Sequence, residues 1–495
     1  MKTWPPTLRL AAAALWAGLA ACAVGPNFKR PAAPSAAGYG AASVQQQTVA
    51  VDMRGGEAQR FSAGMDIPRE WWTLFQSPDL NRLIEQALKS NPDLSAAQAA
   101  LRQAHELYAA QRTAYFPLIQ GSFNGTRAEN ATATISNPTS LPQANPYYNL
   151  YTAQLSLSYA PDVFGVTRRT VEAAKAGVEG TRFQLEATYV TLTSNVVVTA
   201  IQEAALRGQI AATERLLQLQ RQLTATVRQQ RVLGTASELD VLAQESAEAQ
   251  TAQTLPPLQK QLGQSRDALT ALLGQLPSEE PAETFRLENL TLPTDLPVSV
   301  PSRLVEQRPD VRQAEENLHA ASAQVGVALG NMLPQFSIDA NLGSTALKLG
   351  QLFSPYTGFW DVGASLTQTL FDAGALIHKH RAADAALDQA GAQYRAAVIL
   401  ACQNVADTLR ALQSDADALK ASAEADVAAR KTFELAQQQR QLGTISLVAV
   451  LNAEQTYQQA ELALVQAQGN RFADTAGLFQ ALGGGWWNRA SGASP

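Results

Sequence analysis

The segment QQRVLGTAS, residues Gln229–Ser237, recurs 209 positions later as QQRQLGTIS, residues Gln438–Ser446. A second pair of matching segments, Asn91-Pro92-Asp93-Leu94 and Arg308-Pro309-Asp310-Val311, lies at an offset of 217. A shared Ala- and Gln-rich composition does not explain matched glycine, threonine, proline and aspartate positions. A single change of offset is what one shortened loop would produce. The chain is therefore predicted to contain two copies of a unit of about 210 residues. The unit is too long, and the copies are too few, for a short-repeat solenoid.

The composition excludes several classes of protein. A net charge of -5 over 495 residues offers no basic surface for nucleic acid, and two cysteines, Cys22 and Cys402, are too few for a disulfide scaffold or a four-cysteine zinc site. His378 and His380 lie two apart on a predicted helix, so they diverge and do not share a metal. Common catalytic and phosphate-binding motifs do not occur in the sequence. We predict no catalytic residue, no metal and no cofactor.

The first 21 residues have the features of a secretory signal peptide. Lys2 and Arg9 precede a stretch, Leu10–Ala20, that is too short and wrongly flanked for a membrane-spanning helix. The run Leu19-Ala20-Ala21-Cys22 is similar to a bacterial lipobox, which makes Cys22 the lipidated first residue of the mature chain. An ordinary signal peptide with a chance cysteine is the alternative. Ala23 in place of aspartate resembles lipoproteins that are sent on to the outer membrane.

Long helices are predicted where proline is absent. The chain has no proline between Pro161 and Pro256, nor after Pro355 until its last residue, and proline inside a helix costs about 3 kcal/mol. Leucines in the first of these stretches recur at multiples of seven, which favours coiled-coil packing along a narrow apolar seam. Narrow seams with polar flanks suit a hollow arrangement better than a solid bundle. We predict long coiled-coil helices over residues 165–274 and 374–482.

Period-two alternation of apolar and polar residues predicts two strands in each repeat. Residues 151–159 alternate in this way, as do shorter stretches at 119–124, 336–342 and 360–367. Strands of about ten residues are long enough to cross a membrane, and aromatic residues at strand ends are typical of membrane interfaces. A soluble sheet with one wet face is the alternative. The predicted hairpins are residues 116–161 and 334–371, with Tyr151, Tyr159 and Trp360 as interface aromatics.

The predicted hairpins are too few to close a barrel within one chain. Polar loops around Asn130–Pro146 and Gly343–Thr357 join their strands, and a lipid-exposed sheet with open edges leaves backbone groups unpaired in hydrocarbon. Barrels begin at about eight strands, so the hairpins must combine with those of other copies, in a number that the pattern does not fix.

The predicted fold class is an α+β membrane channel with two tandem repeats of a strand hairpin and long helices. The predicted segments are a signal peptide (1–21), a lipidated extended segment (22–69), a first repeat (70–277), a proline-rich connector (278–300), a second repeat (301–487) and a tail (488–495).

Several motifs in order resemble one known family. The lipobox followed by Val24-Gly25-Pro26-Asn27-Phe28, the duplicated unit, the paired Gly-Thr turns and the terminal Ala481–Trp486 are similar to the outer membrane factors of tripartite efflux pumps, TolC-like channels of the OprM/NodT lipoprotein branch. The resemblance implies a homotrimer in the outer membrane of a Gram-negative bacterium. Three chains would form a twelve-strand transmembrane β-barrel continuous with a periplasmic α-helical barrel. The implied partners are a periplasmic adaptor (membrane fusion protein) and an inner-membrane pump of the RND type, which together open and drive a passive export duct.

The resemblance also assigns roles to the duplicated turns. It makes them the periplasmic tips and candidate adaptor contacts, with the residues Arg231, Gly234, Thr235, Arg440, Gly443 and Thr444. Val448 takes the place of a bulky apolar residue that narrows the pore in the family, whereas Asn452 and Ala449 replace aspartates. A ring of carboxylates attracts cations and a ring of amides does not, so we hypothesise that Asp240, at the matching place in the first repeat, faces Asn452 and supplies the charge.

The sequence leaves simpler interpretations open. The tip glycines are also ordinary helix C-caps, with Ser237 and Ser446 as N-caps, and this role is compatible with a gate. A lipid-anchored periplasmic coiled-coil scaffold without a pore and a lipoprotein enzyme of the cell wall are the alternative functions. Asp407, Asp415 and Asp417 are predicted to be solvated or to face a lumen. The exported substrate is not encoded in any motif.

Overall fold

The computed structural model describes residues 23–36, 38–39, 45–129 and 147–488. The predicted signal peptide, Cys22 and the predicted loop at Asn130–Pro146 lie outside these residues. The α-helices are α1 (Pro78–Ser90), α2 (Pro92–Arg112), α3 (Val166–Val232), α4 (Glu238–Leu272), α5 (Pro301–Gln307), α6 (Pro309–Gly330), α7 (Ala375–Gln441) and α8 (Leu447–Ala481). The strands are β1 (Arg60–Ala63), β2 (Leu118–Glu129), β3 (Tyr147–Tyr159), β4 (Asp295–Val298), β5 (Gln335–Ala346) and β6 (Gly358–Thr367). Short 3-10 helices occupy Trp71–Phe75, Thr113–Tyr115, Pro277–Glu279, Leu287–Asn289, Leu349–Gln351 and Trp486–Asn488.

The secondary structure is duplicated. Helices α3 and α7 have 67 residues each, and α4 and α8 have 35 each, with both ends of every pair 209 positions apart. Strands β2 and β5 have 12 residues each and lie 217 positions apart. The change of offset therefore falls between β5 and β6, where the second hairpin has the shorter connection. Among the helices of the described ranges, none has the apolar stretch that crossing a bilayer would need.

The chain divides into two compact units. The first comprises residues 1–30, 102–180 and 315–393, and it holds a four-stranded antiparallel sheet in the order β2-β3-β5-β6. The register aligns Leu155 of β3 with Gly121 and Leu342, and Leu342 with Trp360 of β6. Paired residues share a face, so one face of the sheet is apolar and the other carries Ser, Thr, Gln, Asn and Asp. The apolar face is exposed in this chain, with Leu342 at 61% and Trp360 at 75% exposure.

The observed strands correct two details of the prediction. β3 begins at Tyr147, so Tyr151 is the fifth residue of its strand and does not end it, whereas Tyr159 does. β5 continues to Ala346, which pairs with Tyr151, so the predicted loop at Gly343 begins only after this pair. In both places backbone pairing with a neighbouring strand extends the strand beyond the alternating pattern.

The second unit comprises residues 31–101, 181–314 and 394–495 and contains the largest aromatic core. Trp71 and Phe75 of a 3-10 helix are fully buried, and the Trp71 ring stacks on Phe479 of α8 with centroids 5.1 Å apart. Beside it, β1 pairs in parallel with β4, which aligns Phe61 with Leu296. This two-stranded sheet was not predicted from the sequence, because four-residue strands are too short to show an alternating pattern.

A proline pair lies inside a helix, contrary to the rule used to predict the long helices. Pro256 and Pro257 are part of α4. Each proline removes one backbone hydrogen bond, but both residues are exposed, so water can reach the carbonyl groups that lose their partners. The helix therefore continues through a proline pair on its solvent-exposed side.

The second unit ties the start of each short helix to the end of a long one. Asn91 accepts hydrogen bonds at Oδ1 from the backbone of Asp93 and Leu94 (3.1 Å for Leu94), and its Nδ2 donates to the Leu272 carbonyl at the end of α4. In the second repeat, Arg308 donates from Nη1 to the Ala481 carbonyl at the end of α8. Asn91 and Arg308 occupy matching positions of the two repeats. Although their side chains differ, each satisfies the carbonyl group at the end of the equivalent long helix.

All four long helices end on a glycine with positive φ, yet the surroundings of these glycines differ. Gly234 has φ 75° and open space where a Cβ would lie, whereas a Cβ on Gly274 would overlap the Ser90 carbonyl oxygen.

We expect Gly234→Ala to lower the free energy of unfolding by about 1 kcal/mol through backbone strain. Gly274→Ala should cost about 2–4 kcal/mol because steric overlap is added. Denaturant unfolding of the two purified variants measures this difference, and equal losses would contradict it.

Candidate functional site: the helix tips

The turn between α3 and α4, the first tip, is closed by a Schellman motif. Gly234 donates to the Arg231 carbonyl at 3.0 Å, and the Thr235 backbone donates to the Gln230 carbonyl at 2.8 Å. The Thr235 hydroxyl donates to the same carbonyl. These bonds satisfy carbonyls at the end of α3 that have no partner within the helix, and glycine allows the left-handed conformation that they need.

The turn between α7 and α8, the second tip, repeats this geometry. Gly443, with φ 76°, donates to Arg440, and Thr444 donates to Gln439 from its backbone and from its hydroxyl. Ser446 caps α8 by accepting from the Ala449 backbone, as Ser237 caps α4 by accepting from Asp240. The predicted tip residues are therefore brought together as two equivalent capped turns.

Asp240 has a structural role within its own turn, and the hypothesis that it faces Asn452 stays a prediction. Its carboxylate accepts hydrogen bonds from the backbone and hydroxyl of Ser237, both at 2.9 Å, in a capping box. No hydrogen bond joins Asp240 to Asn452 within the described part of the chain. A carboxylate at the third position of a helix reaches back to the free N–H group of the N-cap residue, here Ser237. Ala449 occupies the equivalent place in the second tip, which therefore lacks the box.

The cap also sets the ionisation of Asp240. The hydrogen bonds from the Ser237 backbone and hydroxyl lower the pKa of this carboxyl, with a contribution from the positive charge of Arg440. Because the pKa is lowered in the folded protein, the stabilisation is complete above the ordinary pKa of an aspartate and is lost as the pH falls through the lowered value. The first tip thus keeps its negative charge throughout the neutral range.

Ion pairs and apolar contacts hold the first tip together. Arg231 pairs with Glu238 across the turn, and Arg228 donates from Nε and Nη2 to Glu245, at 3.0 and 2.7 Å. One apolar cluster joins both tips, since Val227 of α3 and Val241 of α4 pack with Leu447 of α8.

A second cluster packs α8 against α7. Phe433 and Ala436 of α7 are buried with Val450 and Ala453 of α8, and the Phe433 ring stacks on Tyr457 at 5.9 Å. This aromatic contact was not predicted from the sequence. The equivalent residues of the first repeat, Thr224 and Glu248, form a hydrogen bond instead.

The two constriction candidates of α8 lie on a different side of the helix from these clusters. Leu447, Val450 and Ala453 are buried, whereas Val448, at 59% exposure, and Asn452 are exposed. Residues four apart share a helix face, so Val448 and Asn452 form one exposed stripe. This stripe is available to line a pore, which is the role predicted for it.

Asp415 corrects another expectation. Asp407 and Asp417 are exposed, as predicted, but Asp415 is half-buried beside Asp474. Burial, followed by the hydrogen bond and negative charge of Asp474, raises the pKa of Asp415 to about 7, against the opposing charge of Arg471. Helix packing, which the sequence pattern does not specify at single positions, removed this carboxyl from water.

In the first unit, the residues after Cys22 are fixed by a buried arginine. Arg169 of α3, at 3% exposure, donates to the carbonyl groups of Val24 and Gly25 and to Asn27 Oδ1, the last at 2.7 Å. The Phe28 ring stacks on His319 of α6 with centroids 4.4 Å apart. We call residues 24–28 with these partners the N-terminal clasp. No sequence motif pointed to Arg169 or His319.

The described residues contain no group of three or more His, Cys, Asp or Glu side chains placed to bind a metal. An exposed two-faced sheet that is open at both edges, with long helices closed by capped turns, defines a channel-forming membrane protein.

Comparison with known proteins identifies the family. The model of the Outer membrane efflux protein family matches residues 83–275 and 300–484, so the chain belongs to this family of efflux channels, which is not a family of enzymes. The chain is 28% identical over 420 residues to "Pyoverdine export outer membrane protein OpmQ" of Pseudomonas putida, covering 84% of this chain and 88% of the relative. It is 27% identical over 477 residues to "Probable efflux pump outer membrane protein TtgC" of Pseudomonas putida, covering 96% and 95%.

A solved structure supports the same conclusion. The outer-membrane channel OprN superposes with a TM-score of 0.83 at 28% identity, over 94% of this chain and 100% of OprN. The predicted family, the α+β channel fold and the function as an outer-membrane exit duct for efflux are thereby confirmed.

We predict that Asp240→Ala weakens cation block of the channel in planar bilayers, because it removes a charge next to the second tip. The variant also loses the cap, at about 1 kcal/mol. Ser237→Ala is the matched control, since it breaks the capping box and leaves the charge in place. Equal block in Asp240→Ala and the unmodified protein would exclude Asp240 from the gate, and equal changes in both variants would assign the effect to the cap.

Proposed function

We propose that three copies of this chain assemble into one export duct of a Gram-negative outer membrane, gated at its periplasmic helix tips. The observation that carries the proposal is the four-stranded sheet, whose apolar face is exposed and whose outer strands, β2 and β6, are edges. Water stabilises neither the apolar face nor the free edges, and hydrocarbon stabilises the face only when the edges are paired. Pairing β6 of one copy with β2 of the next satisfies both requirements.

The number of strands supports three copies. Two copies would supply eight strands, the minimum for a barrel, whose interior is filled by side chains. Three copies supply twelve and leave a wider lumen lined by the polar face of the sheet, with residues such as Gln154, Asn341 and Asp361. Tyr159 and Trp360 lie near strand ends, where we place the membrane interfaces.

The gate is proposed to be the exposed stripe of Val448 and Asn452 on α8. In a trimer, the stripe would form one ring of apolar side chains and one ring of amides. Amide rings lack the charge that attracts cations. Of the equivalent positions 240 and 449, in the first turns of α4 and α8, only position 240 carries a carboxylate, that of Asp240. The tip residues Arg231 and Arg440, with their glycine and threonine neighbours, are the proposed contacts for a periplasmic adaptor, which would link the duct to an inner-membrane pump of the RND type.

The N-terminal clasp supports a lipid anchor at Cys22. Arg169 holds residues 24–27 by side-chain hydrogen bonds within the unit that contains the sheet. Acyl chains gain about 0.8 kcal/mol for each buried CH2 group, so a lipidated Cys22 would bind the bilayer beside the proposed barrel.

The sheet proposal is tested by adjacent residues on its two faces. Leu342→Arg places a charge on the proposed lipid face, at a cost of about 2–4 kcal/mol near the bilayer centre, and should abolish the heat-modifiable trimer and the conductance. Asn341→Arg is the matched control on the polar face. It should leave the trimer intact and change only the conductance or ion selectivity. A purified protein that stays monomeric and leaves bilayers sealed would contradict the proposal.

The anchor is tested separately by Cys22→Ser. We expect the variant to lose incorporation of labelled palmitate completely, because the only acceptor thiol at the signal cleavage site is gone. Cys402→Ser is the control and should keep full incorporation. Undiminished labelling of Cys22→Ser would show that the chain carries no lipid at this cysteine.

A further inference from the structure

The most unusual carboxylate of the second unit is Glu454, in the second turn of α8. It is 1% exposed and lines a cleft of about 420 Å³ between α3, α4 and α8. In the described part of the chain, neither of its oxygens has a partner of good hydrogen-bond geometry, and the same is true of Oε1 of Gln220, which lines the same cleft. Three buried polar atoms without such partners around one cleft are costly, since each leaves about 1–3 kcal/mol of desolvation uncompensated.

The duplication allows Glu454 to be compared with the equivalent residue of the first repeat. Its equivalent in the first repeat, Glu245, is paired with Arg228 through two hydrogen bonds. The residue equivalent to Arg228 in the second repeat is Gln437, so the second repeat has lost the cation and kept the acid. The ion pair of the first repeat therefore has no counterpart at Glu454 in the second repeat.

Four ion pairs join charged groups on the helices around the cleft. None of these pairs leaves a free cation directed at Glu454. The pairs are Arg215–Glu461, Arg221–Glu248, Arg228–Glu245 and, on α7, Arg430–Asp426. Burial raises the pKa of Glu454 to about 7, although the neighbouring amide of Gln220 acts in the opposite direction.

We propose that Glu454 and the surrounding amides form a proton-binding site that controls how tightly the first half of α8 packs against α3 and α4. The neutral acid can donate a hydrogen bond to the amide oxygen of Gln220, and the cleft stays closed. The ionised acid has no counter-charge and must draw water into the cleft. Val448 and Asn452 lie on the same two turns of the helix, so the site acts on the stripe proposed as the gate.

The direction of the pH effect follows from the raised pKa. A buried acid that binds its proton more tightly when packed than when exposed favours packing at low pH, and this advantage is lost as the pH rises toward 7. When α8 opens locally, Glu454 regains an ordinary pKa near 4.5. Packing of this segment should therefore loosen about tenfold per pH unit between pH 5 and 7 and change little above that.

Hydrogen–deuterium exchange of the purified full-length protein tests this. The measured quantity is the protection of residues 447–462 relative to residues 238–253, the equivalent segment of α4, because the ratio removes the intrinsic pH dependence of exchange. In the unmodified protein the ratio should fall about tenfold per pH unit from pH 5 to 7. Glu454→Gln should abolish the slope, and Glu245→Gln, the matched control, should retain it.

Either a flat ratio in the unmodified protein or a retained slope in Glu454→Gln would overturn the proposal. The slope within each variant is compared, so a general loss of stability in Glu454→Gln does not obscure the result. Exchange does not require conduction, so this outcome is independent of the proposed duct. Only the consequence for the gate rests on that function, and conductance of the same variants at pH 5.5 and 8 would measure it.

Discussion

One constraint governs this protein: a four-stranded sheet whose apolar face is not covered by any of the residues that the structure describes. The register places Leu155, Leu342 and Trp360 side by side on that face, and β2 and β6 leave backbone groups unpaired at the two edges. Covering the face with lipid makes the open edges more costly, because hydrocarbon offers them no hydrogen bonds. The sheet is therefore stable only as part of a larger closed structure, and the proposed trimer, lumen and gate all follow from this.

The long helices depend on how their ends are satisfied. Schellman turns at Gly234 and Gly443, and serine caps at Ser237 and Ser446, pair the backbone groups that a reversal of direction exposes. The same turns carry the charges that distinguish the two tips. A residue such as Asp240 is thus both a cap and a fixed charge, and a variant at this position changes stability and electrostatics together.

The two repeats share a backbone but have different interiors. Arg228 pairs with Glu245 in the first repeat, whereas the second repeat packs Phe433 on Tyr457 and buries Glu454 without a cation. A duplicated backbone tolerates this divergence because cap geometry and helix length are set by glycine, serine and proline positions that both copies keep.

The sequence by itself determined the duplication, the four strands, the long helices and the capped tips, because these depend on local periodicity and on glycine, serine and proline at fixed places. It also indicated the family through ordered motifs. Only the tertiary structure decided that β1 pairs with β4, that Arg169 holds the N-terminal clasp, and that α4 passes through Pro256 and Pro257. The tertiary structure also decided the burial of Asp415 and Glu454, because the sequence does not distinguish them from other carboxylates on the helices. Burial and pairing depend on residues distant in sequence, and a local pattern carries no information about those neighbours.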